Sequence, residues 1–315
     1  MKCLVVQPIH SDGLDLLRDG GVEPVISPAS DMDTVSRAIA GCDAVITRDA
    51  GLSSGAILAG DRLKVIVVHG AGHDAVDKVA AARKGVMVCN TPGANARSVS
   101  ELALGLALSA ARLIPAADSA VRAGIKGFRE AETFHELAGK TALIVGWGAT
   151  GAGLGRMLDS AFGMRILVFS PRAADIGGYQ RVRTLSEGLT QADLVSLHTP
   201  MRDETRGMLN AETFAATKPG AILVNTARAG LIDEAALAAA LAEGTIGAAA
   251  LDVYSSEAPH GPLAASNRVI FTPHLGGTTG EALRRVAVGA ARNVLMALSG
   301  EKPPTTIDPL PEVAA

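Results

Sequence analysis

Residues 142–158, ALIVGWGATGAGLGRML, set a four-residue apolar run before glycines at 146, 148, 151, 153 and 155. The run reads as a buried strand, and Leu154, Met157 and Leu158 follow at helical spacing. In that strand–turn–helix setting, Gly146-x-Gly148-x-x-Gly151 has the form of a dinucleotide turn. The first glycine permits the tight bend, and the second lets backbone approach a pyrophosphate. The third lets helix and strand pack closely, with the phosphates at the helix N-terminus. Gly153 and Gly155 exceed what the turn needs and should weaken the first turn of the helix.

The next strand bears on which dinucleotide binds. About 20 residues after the glycines, an NAD site places a carboxylate for the ribose 2′-hydroxyl. Here the position is Ser170, in Phe169-Ser170-Pro171-Arg172. No carboxylate stands there to repel a 2′-phosphate, and Arg172 can pair with one. NADP is therefore expected over NAD.

Outward from this stretch, short apolar runs alternate with segments of helical length. The runs are CLVV (3–6), AVIT (44–47), KVIVV (64–68), VMVC (86–89), ALIV (142–145), RILVF (165–169), LVSL (194–197), AILVN (221–225), AAALDV (248–253) and VIFT (269–272). Such alternation predicts an α/β protein with parallel sheets and helices on both faces. At 315 residues the chain is long enough for two domains. The boundary is expected at NTPGANARSVSE (90–101), where a Pro-Gly turn runs into Ser98-x-x-Glu101. That pattern reads as a capping box opening an apolar helix over 99–113.

Composition narrows the function classes. Hydrophobic residues make up 48% but aromatics only 3%, so the cores must be built from Ala, Val, Leu and Ile. The net charge of −3 and the lack of a long basic run argue against nucleic acid as a partner. Cys3, Cys42 and Cys89 are an odd number at no metal-ligand spacing, which suits a reducing compartment and suggests no metal. The opening MKCLVVQP is broken by Gln7 and Pro8 and reads as a strand rather than a signal peptide. No run reaches the ~18 apolar residues of a membrane span. The expectation is a soluble cytoplasmic protein with no membrane partner.

The chain resembles the D-isomer-specific 2-hydroxyacid dehydrogenases over nearly its whole length. The resemblance rests on HGAGHDAVD (69–77), NTPGANARSVSE (90–101), GKTALIVGWGATG (139–151), LHTP (197–200), VNTARAGLIDEAAL (224–237), AALDVYSSEAP (249–259) and TPHLGG (272–277). It implies two Rossmann-like domains, the cofactor domain inserted into a smaller, flavodoxin-like substrate domain. Residues 1–96 and 286–315 would form the substrate domain and 97–285 the dinucleotide-binding domain.

The family's catalytic residues carry over as Arg228 in VNTAR, Glu257 five residues after Asp252, and His274 in TPH. Reducing a 2-oxo acid places hydride on the carbonyl carbon, and the oxygen must gain a proton. His274 can supply it near neutral pH. Glu257 would hold the imidazole and favour its charged form. Arg228 would bridge the substrate's carboxylate and carbonyl oxygens. The resemblance further implies cofactor contacts from Gly146, Gly148, Ala149, Thr150, Gly151, Ser170, Arg172, His198, Thr199, Pro200, Thr226, Ala227, Asp252, Gly276 and Gly277. Gly70, Ala71 and Gly72 would hold the substrate carboxylate through backbone amides, beside Arg48, with Arg228 and His274 completing the substrate contacts. The partners implied are a small 2-oxo or 2-hydroxy acid and a second copy of the chain. Helix 99–113, with Leu102, Leu104, Leu106, Leu108 and Leu113, is too apolar for a surface helix, and a homodimer through the cofactor domains is expected.

Three features depart from the family pattern. The stretch from Gly151 to Met164 is one residue longer than usual, which leaves the start of its helix open. Phosphoglycerate-type members often carry an Arg where this chain has Val68. A chain ending at 315 leaves no room for an appended regulatory domain. Glyoxylate or hydroxypyruvate is therefore expected rather than phosphoglycerate. A dinucleotide-sensing binding protein of the corepressor type is the alternative, separable by turnover. A methyltransferase fits poorly, given Ser170 and the Arg–Glu–His set.

Overall fold

The computed structural model describes residues 1–307, which fall into two compact units. One is Met1–Asn95 together with the chain from Gly277 onward; the other is Ala96–Gly276. The first unit runs β1 (Lys2–Val5), α1 (Ser11–Asp19), β2 (Glu23–Ile26), α2 (Met32–Ala38), β3 (Ala44–Thr47), α3 (Ser54–Ala59), β4 (Val65–Val68), α4 (Lys78–Arg83) and β5 (Met87–Cys89). Its strands lie parallel in the order β2-β1-β3-β4-β5, the flavodoxin-like arrangement. Successive strand residues point to opposite faces. Leu4, Val45, Ile66 and Val88 thus enter one core, while Cys3, Ile46, Val67 and Cys89 enter the other.

The second unit opens with α5 (Ala96–Ala111), α6 (Ile114–Arg122) and α7 (Phe128–Ala131). It continues through β6 (Thr141–Val145), α8 (Ala149–Phe162), β7 (Arg165–Phe169), β8 (Gln180–Arg181), α9 (Leu185–Leu189), β9 (Leu194–Leu197), α10 (Ala211–Ala215), β10 (Ala221–Asn225), α11 (Glu234–Ala242), β11 (Ile246–Leu251) and β12 (Val269–Phe271). The strand order is β12-β11-β10-β9-β6-β7-β8. Order reverses between β6 and β9, and ligands of open α/β sheets bind at such a switch point. The last helix, α12 (Gly280–Ser299), returns to the first unit and packs against α1. Gly13 lies so close that a Cβ there would stand 2.8 Å from the Ala287 carbonyl oxygen.

All ten apolar runs are strands. The structure adds β2 and β8, both at sheet edges, where one flank needs no apolar partner. Pro24 within β2 and the two exposed residues of β8 hid them, since Pro and charge are tolerated at an edge. Two expectations change. The chain returns to the first unit at Gly277 rather than 286, because the first turns of α12 already belong there. Arg284 pairs with Asp12, and Arg285 Nε donates to the Ala94 carbonyl at 2.9 Å. The expected capping box is absent, because α5 begins at Ala96 and Ser98 lies inside it. The Ser98 hydroxyl donates to the Gly276 carbonyl at 2.6 Å, and Glu101 pairs with Arg97 on the same helix.

Helix α5 is a core element. Ala103, Leu106, Ala107 and Ala110 are buried, and Leu102, Leu104 and Leu108 pack half-buried against the same core. It stops where Leu113 turns left-handed, with φ of 49°. Among the described residues no single helix is long and apolar enough to cross a membrane.

Candidate active site

The β6–α8 turn shows what each glycine does. Gly146 has φ of +97°, and a Cβ there would meet the His198–Thr199 backbone at 2.7 Å. Only glycine lets the β6 and β9 loops meet at the switch point. A Cβ on Gly151 would fall 2.0 Å from the Gly146 carbonyl oxygen. Gly148, by contrast, faces open space: nothing lies within 4 Å of a Cβ there. It is the N-cap of α8, and among the described residues no side chain caps that terminus. The uncapped amides and the bare Gly148 make a seat for a phosphate. Helix α8 starts at Ala149, which places the point that sequence left open. The surplus glycines serve packing. Gly153 lies against Ser100 of α5, and Gly155 lies against the Trp147 ring.

At the end of β7, Arg172 does not stand alone. Its Nη2 pairs with Glu204 Oε1 at 2.6 Å, both side chains being exposed. Arg181 donates to the Ser170 and Ala173 carbonyls, at 2.6 Å each, and so shapes this loop. Across the switch point, His198 Nε2 lies 2.9 Å from the Ser196 hydroxyl. Burial of its ring lowers the His198 pKa to about 4, so it is neutral at working pH. Thr199 follows half-buried and Pro200 exposed.

The loop after β10 is built on Asn225, a buried residue that the sequence reading did not single out. Asn225 Oδ1 accepts from the Ala227 amide at 3.0 Å, and its Nδ2 donates to the Arg228 carbonyl at 2.9 Å. This brackets Arg228, whose Nη1 donates to the Ala227 carbonyl at 2.7 Å. The Thr226 hydroxyl oxygen is buried and has no hydrogen-bond partner among the described residues. An orphaned buried hydroxyl costs roughly 1–3 kcal/mol and fits a site that a ligand completes.

His274 occupies the left-handed region, φ of 55°, rare for a residue with a side chain. Asp252 holds it there. The Asp252 carboxylate accepts from the Thr272 hydroxyl at 2.6 Å, the Leu275 amide at 2.7 Å and the Gly276 amide at 2.9 Å. The His274 amide donates to the Asp252 and Thr272 carbonyls at 3.1 and 2.9 Å. Asp252 and Gly276, expected at the dinucleotide, thus have these polar groups engaged in shaping the His274 loop. Gly277 lies in the other unit, where a Cβ would stand 2.6 Å from Asn95 Nδ2.

The expected Glu257–His274 pairing is absent. Both residues are exposed, and among the described residues no ion pair joins them. Glu257 Oε1 accepts from the Ser256 hydroxyl at 3.5 Å. Both groups are exposed, and an exposed pair gains only about 0–1 kcal/mol, too little to fix two side chains.

The first unit gathers its own set at the carboxyl ends of β3 and β4. Gln7 Oε1 accepts from the Arg48 and Ala50 amides, at 3.2 and 3.0 Å, across the β1–β3 switch point. Arg48 Nη1 donates to the Pro8 carbonyl at 2.9 Å. Gly70, with φ of +146°, is held by Thr91, whose amide donates to its carbonyl at 2.9 Å. Asn90 Nδ2 donates to the Ala71 carbonyl at 2.7 Å, and Ala71 and Gly72 are exposed. His69 is buried before them, its pKa lowered to about 4 by burial and then by the Arg48 charge.

Residues 104–276 match the family described as D-isomer specific 2-hydroxyacid dehydrogenase, NAD binding domain. The D-3-phosphoglycerate dehydrogenase of Mycobacterium bovis is 39% identical over 285 residues, 88% of this chain but 53% of that protein. The chain thus spans about half the length of such relatives. A hydroxypyruvate reductase from Thermotoga maritima is 36% identical, with 93% of this chain and 97% of that protein covered. The structure of a glyoxylate reductase from Paecilomyes thermophila superposes with a TM-score of 0.86 at 27% identity, covering 99% of this chain and 98% of that one. With its dinucleotide turn, its Asp252-held histidine and these matches, the chain belongs to the D-isomer specific 2-hydroxyacid dehydrogenase family.

Proposed function

We propose that the chain is an NAD(P)-dependent dehydrogenase interconverting a small 2-oxo acid and its D-2-hydroxy acid. One observation carries this reading: the uncapped α8 N-terminus behind bare Gly148 stands in the same unit as an exposed histidine held left-handed by Asp252. The dinucleotide, when bound, supplies or accepts the hydride at the substrate's C2. Gly146, Gly148, Ala149, Thr150 and Gly151 would hold its phosphates, the Thr226 hydroxyl would find its partner there, and Thr199 and Pro200 would contribute through backbone.

His274 gives its proton to the C2 oxygen in reduction and takes it back in oxidation. Arg228 holds the substrate carboxylate and steadies charge developing on that oxygen. Glu257 turns onto His274 when substrate excludes water, which favours the imidazolium. Within the first unit, the Ala71 and Gly72 amides and the Arg48 guanidinium suit a carboxylate, whereas the Gly70 amide is engaged by the Thr91 hydroxyl oxygen at 2.9 Å. The substrate is glyoxylate or hydroxypyruvate. Support comes from Val68, which offers no cation to a phosphate, and from the relative named for hydroxypyruvate. The cofactor is NADP, on Ser170 and Arg172. The protein works in the cytoplasm, with three unpaired cysteines as the support.

The test is oxidation of NADPH and NADH against a panel of 2-oxo acids, with the pH profile of kcat/KM in wild type and Glu257→Gln. Turnover of a C2 or C3 2-oxo acid is expected. The reduction rate should fall toward alkaline pH, and the fall should begin at lower pH in the mutant. No turnover with any 2-oxo acid would overturn the reading. A limb that stays put would remove Glu257 from it.

A further inference from the structure

The stretch 224–237 contains a glutamate, Glu234, to which the chemistry above gives no part. It is the first residue of α11, and its carboxylate reaches the loop that carries Glu257. The Ser255 amide donates to Glu234 Oε1 at 2.8 Å, and the Ser255 hydroxyl donates to Glu234 Oε2. Both oxygens thus grip one residue, two positions before Glu257. The rest of the loop is anchored on its other side. Asp252 is sewn to the His274 loop, and the Tyr254 ring meets Phe271 of β12 edge-on at 4.9 Å between centroids. After Ser255 the chain passes to Glu257, whose carboxylate accepts from the Ser256 hydroxyl.

We propose that Glu234 is a positioning residue: its two-oxygen clamp on Ser255 sets the backbone from which Glu257 reaches His274. The proposal rests on the reading of Glu257 given above. The physical argument is one of orientation. An exposed carboxylate that must find an exposed imidazole gains little from the contact itself. The encounter therefore depends on how far the loop backbone is already directed. A carboxylate accepting one amide and one hydroxyl from a single residue fixes both its position and its rotation. Charge-assisted bonds of this kind are about twice as strong as neutral ones. Glu234 sits in the first turn of α11, where the helix dipole favours its negative charge and its capping residue Asp233 holds the turn. Neither Glu234 nor Ser255 touches the reacting atoms.

The test compares the pH profile of 2-oxo acid reduction in wild type, Glu257→Gln, Glu234→Gln and Ser255→Ala, at low salt and at 0.5 M salt. The clamp predicts that Glu234→Gln and Ser255→Ala move the alkaline limb to lower pH, in the direction of Glu257→Gln. It predicts that kcat falls by about tenfold with KM little changed, short of the ~10²-fold that a 1 Å misplacement costs. A limb moved in Glu257→Gln but unmoved in both clamp variants overturns the clamp alone. A limb unmoved in Glu257→Gln overturns the reading of Glu257 and the clamp with it. A shift seen only in Glu234→Gln and abolished by salt is the loss of a surface charge, and it also overturns the clamp.

Discussion

Arg172 and Glu204 pose the sharpest question that single residues raise here. Ser170 removes the carboxylate that would repel a 2′-phosphate, yet Glu204 places one on Arg172 from the β9 side. A phosphate must compete with Glu204 for the same guanidinium. An exposed pair is worth about 0–1 kcal/mol, so a doubly charged phosphate should displace it. Glu204→Gln is expected to tighten NADPH binding by a few-fold and leave NADH little changed. Ser170→Asp should reverse the preference. Kd values from nucleotide fluorescence check both, and a tenfold wild-type preference for NADH would refute the NADP assignment. His198 gives a second residue-level prediction. Its pKa of about 4 lies below the ordinary 6.5, so the folded chain holds the ring neutral while the unfolded chain takes a proton. Its share of stability is complete above pH 6.5 and is lost as pH falls toward 4. Within that window one histidine contributes a slope of up to about 1.4 kcal/mol per pH unit. Urea denaturation of His198→Asn at pH 7 and pH 5 should show a gentler loss than wild type.

The packing of α8 against α5 illustrates how an element can demand glycine without any ligand. A Cβ on Gly153 would stand 2.5 Å from the Ser100 hydroxyl oxygen, which is itself within hydrogen-bond reach of the Ala96 and Thr150 carbonyls. Helix propensity favours alanine there by about 1 kcal/mol, but overpacking costs about 1–3 kcal/mol. Gly153→Ala is therefore expected to be destabilising on balance. Adding Ser100→Ala should restore most of the loss, because the remaining Cβ-to-Cβ approach is 3.3 Å. Chemical denaturation of the two single variants and the double variant checks this. If Gly153→Ala alone is stabilising, the two helices have more room than these contacts allow.

For the molecule as a whole, the apolar residues left outside the cores bear on assembly. Ile114, Val121 and Ile125, on α6 and just beyond it, are 51%, 78% and 60% exposed. The apolar character of α5 is largely accounted for by burial within its own unit, so it is the α6 face that supports a dimer. Light scattering should give twice the chain mass at micromolar concentration, and Val121→Lys with Ile125→Lys should halve it. A monomeric wild type would exclude the homodimer. The sequence by itself determined the two-unit α/β plan, because parallel strands buried on both faces must be written as continuous apolar runs. It also determined the dinucleotide turn and marked Arg228, Glu257 and His274, whose neighbours in the chain form motifs. Edge strands β2 and β8 escaped it, since an edge tolerates proline and charge. Only the tertiary structure decided what Asp252, Asn225, Glu204 and Glu234 do. Asp252 and Glu234 each hold residues about 20 positions away, Glu204 reaches back across the sheet to Arg172, and Asn225 shapes its loop with a side chain whose partners local spacing does not reveal. The long-range bonds of Asp252, Glu204 and Glu234 depend on which strand ends the sheet order brings near one another, and that order is written in no single stretch of the chain.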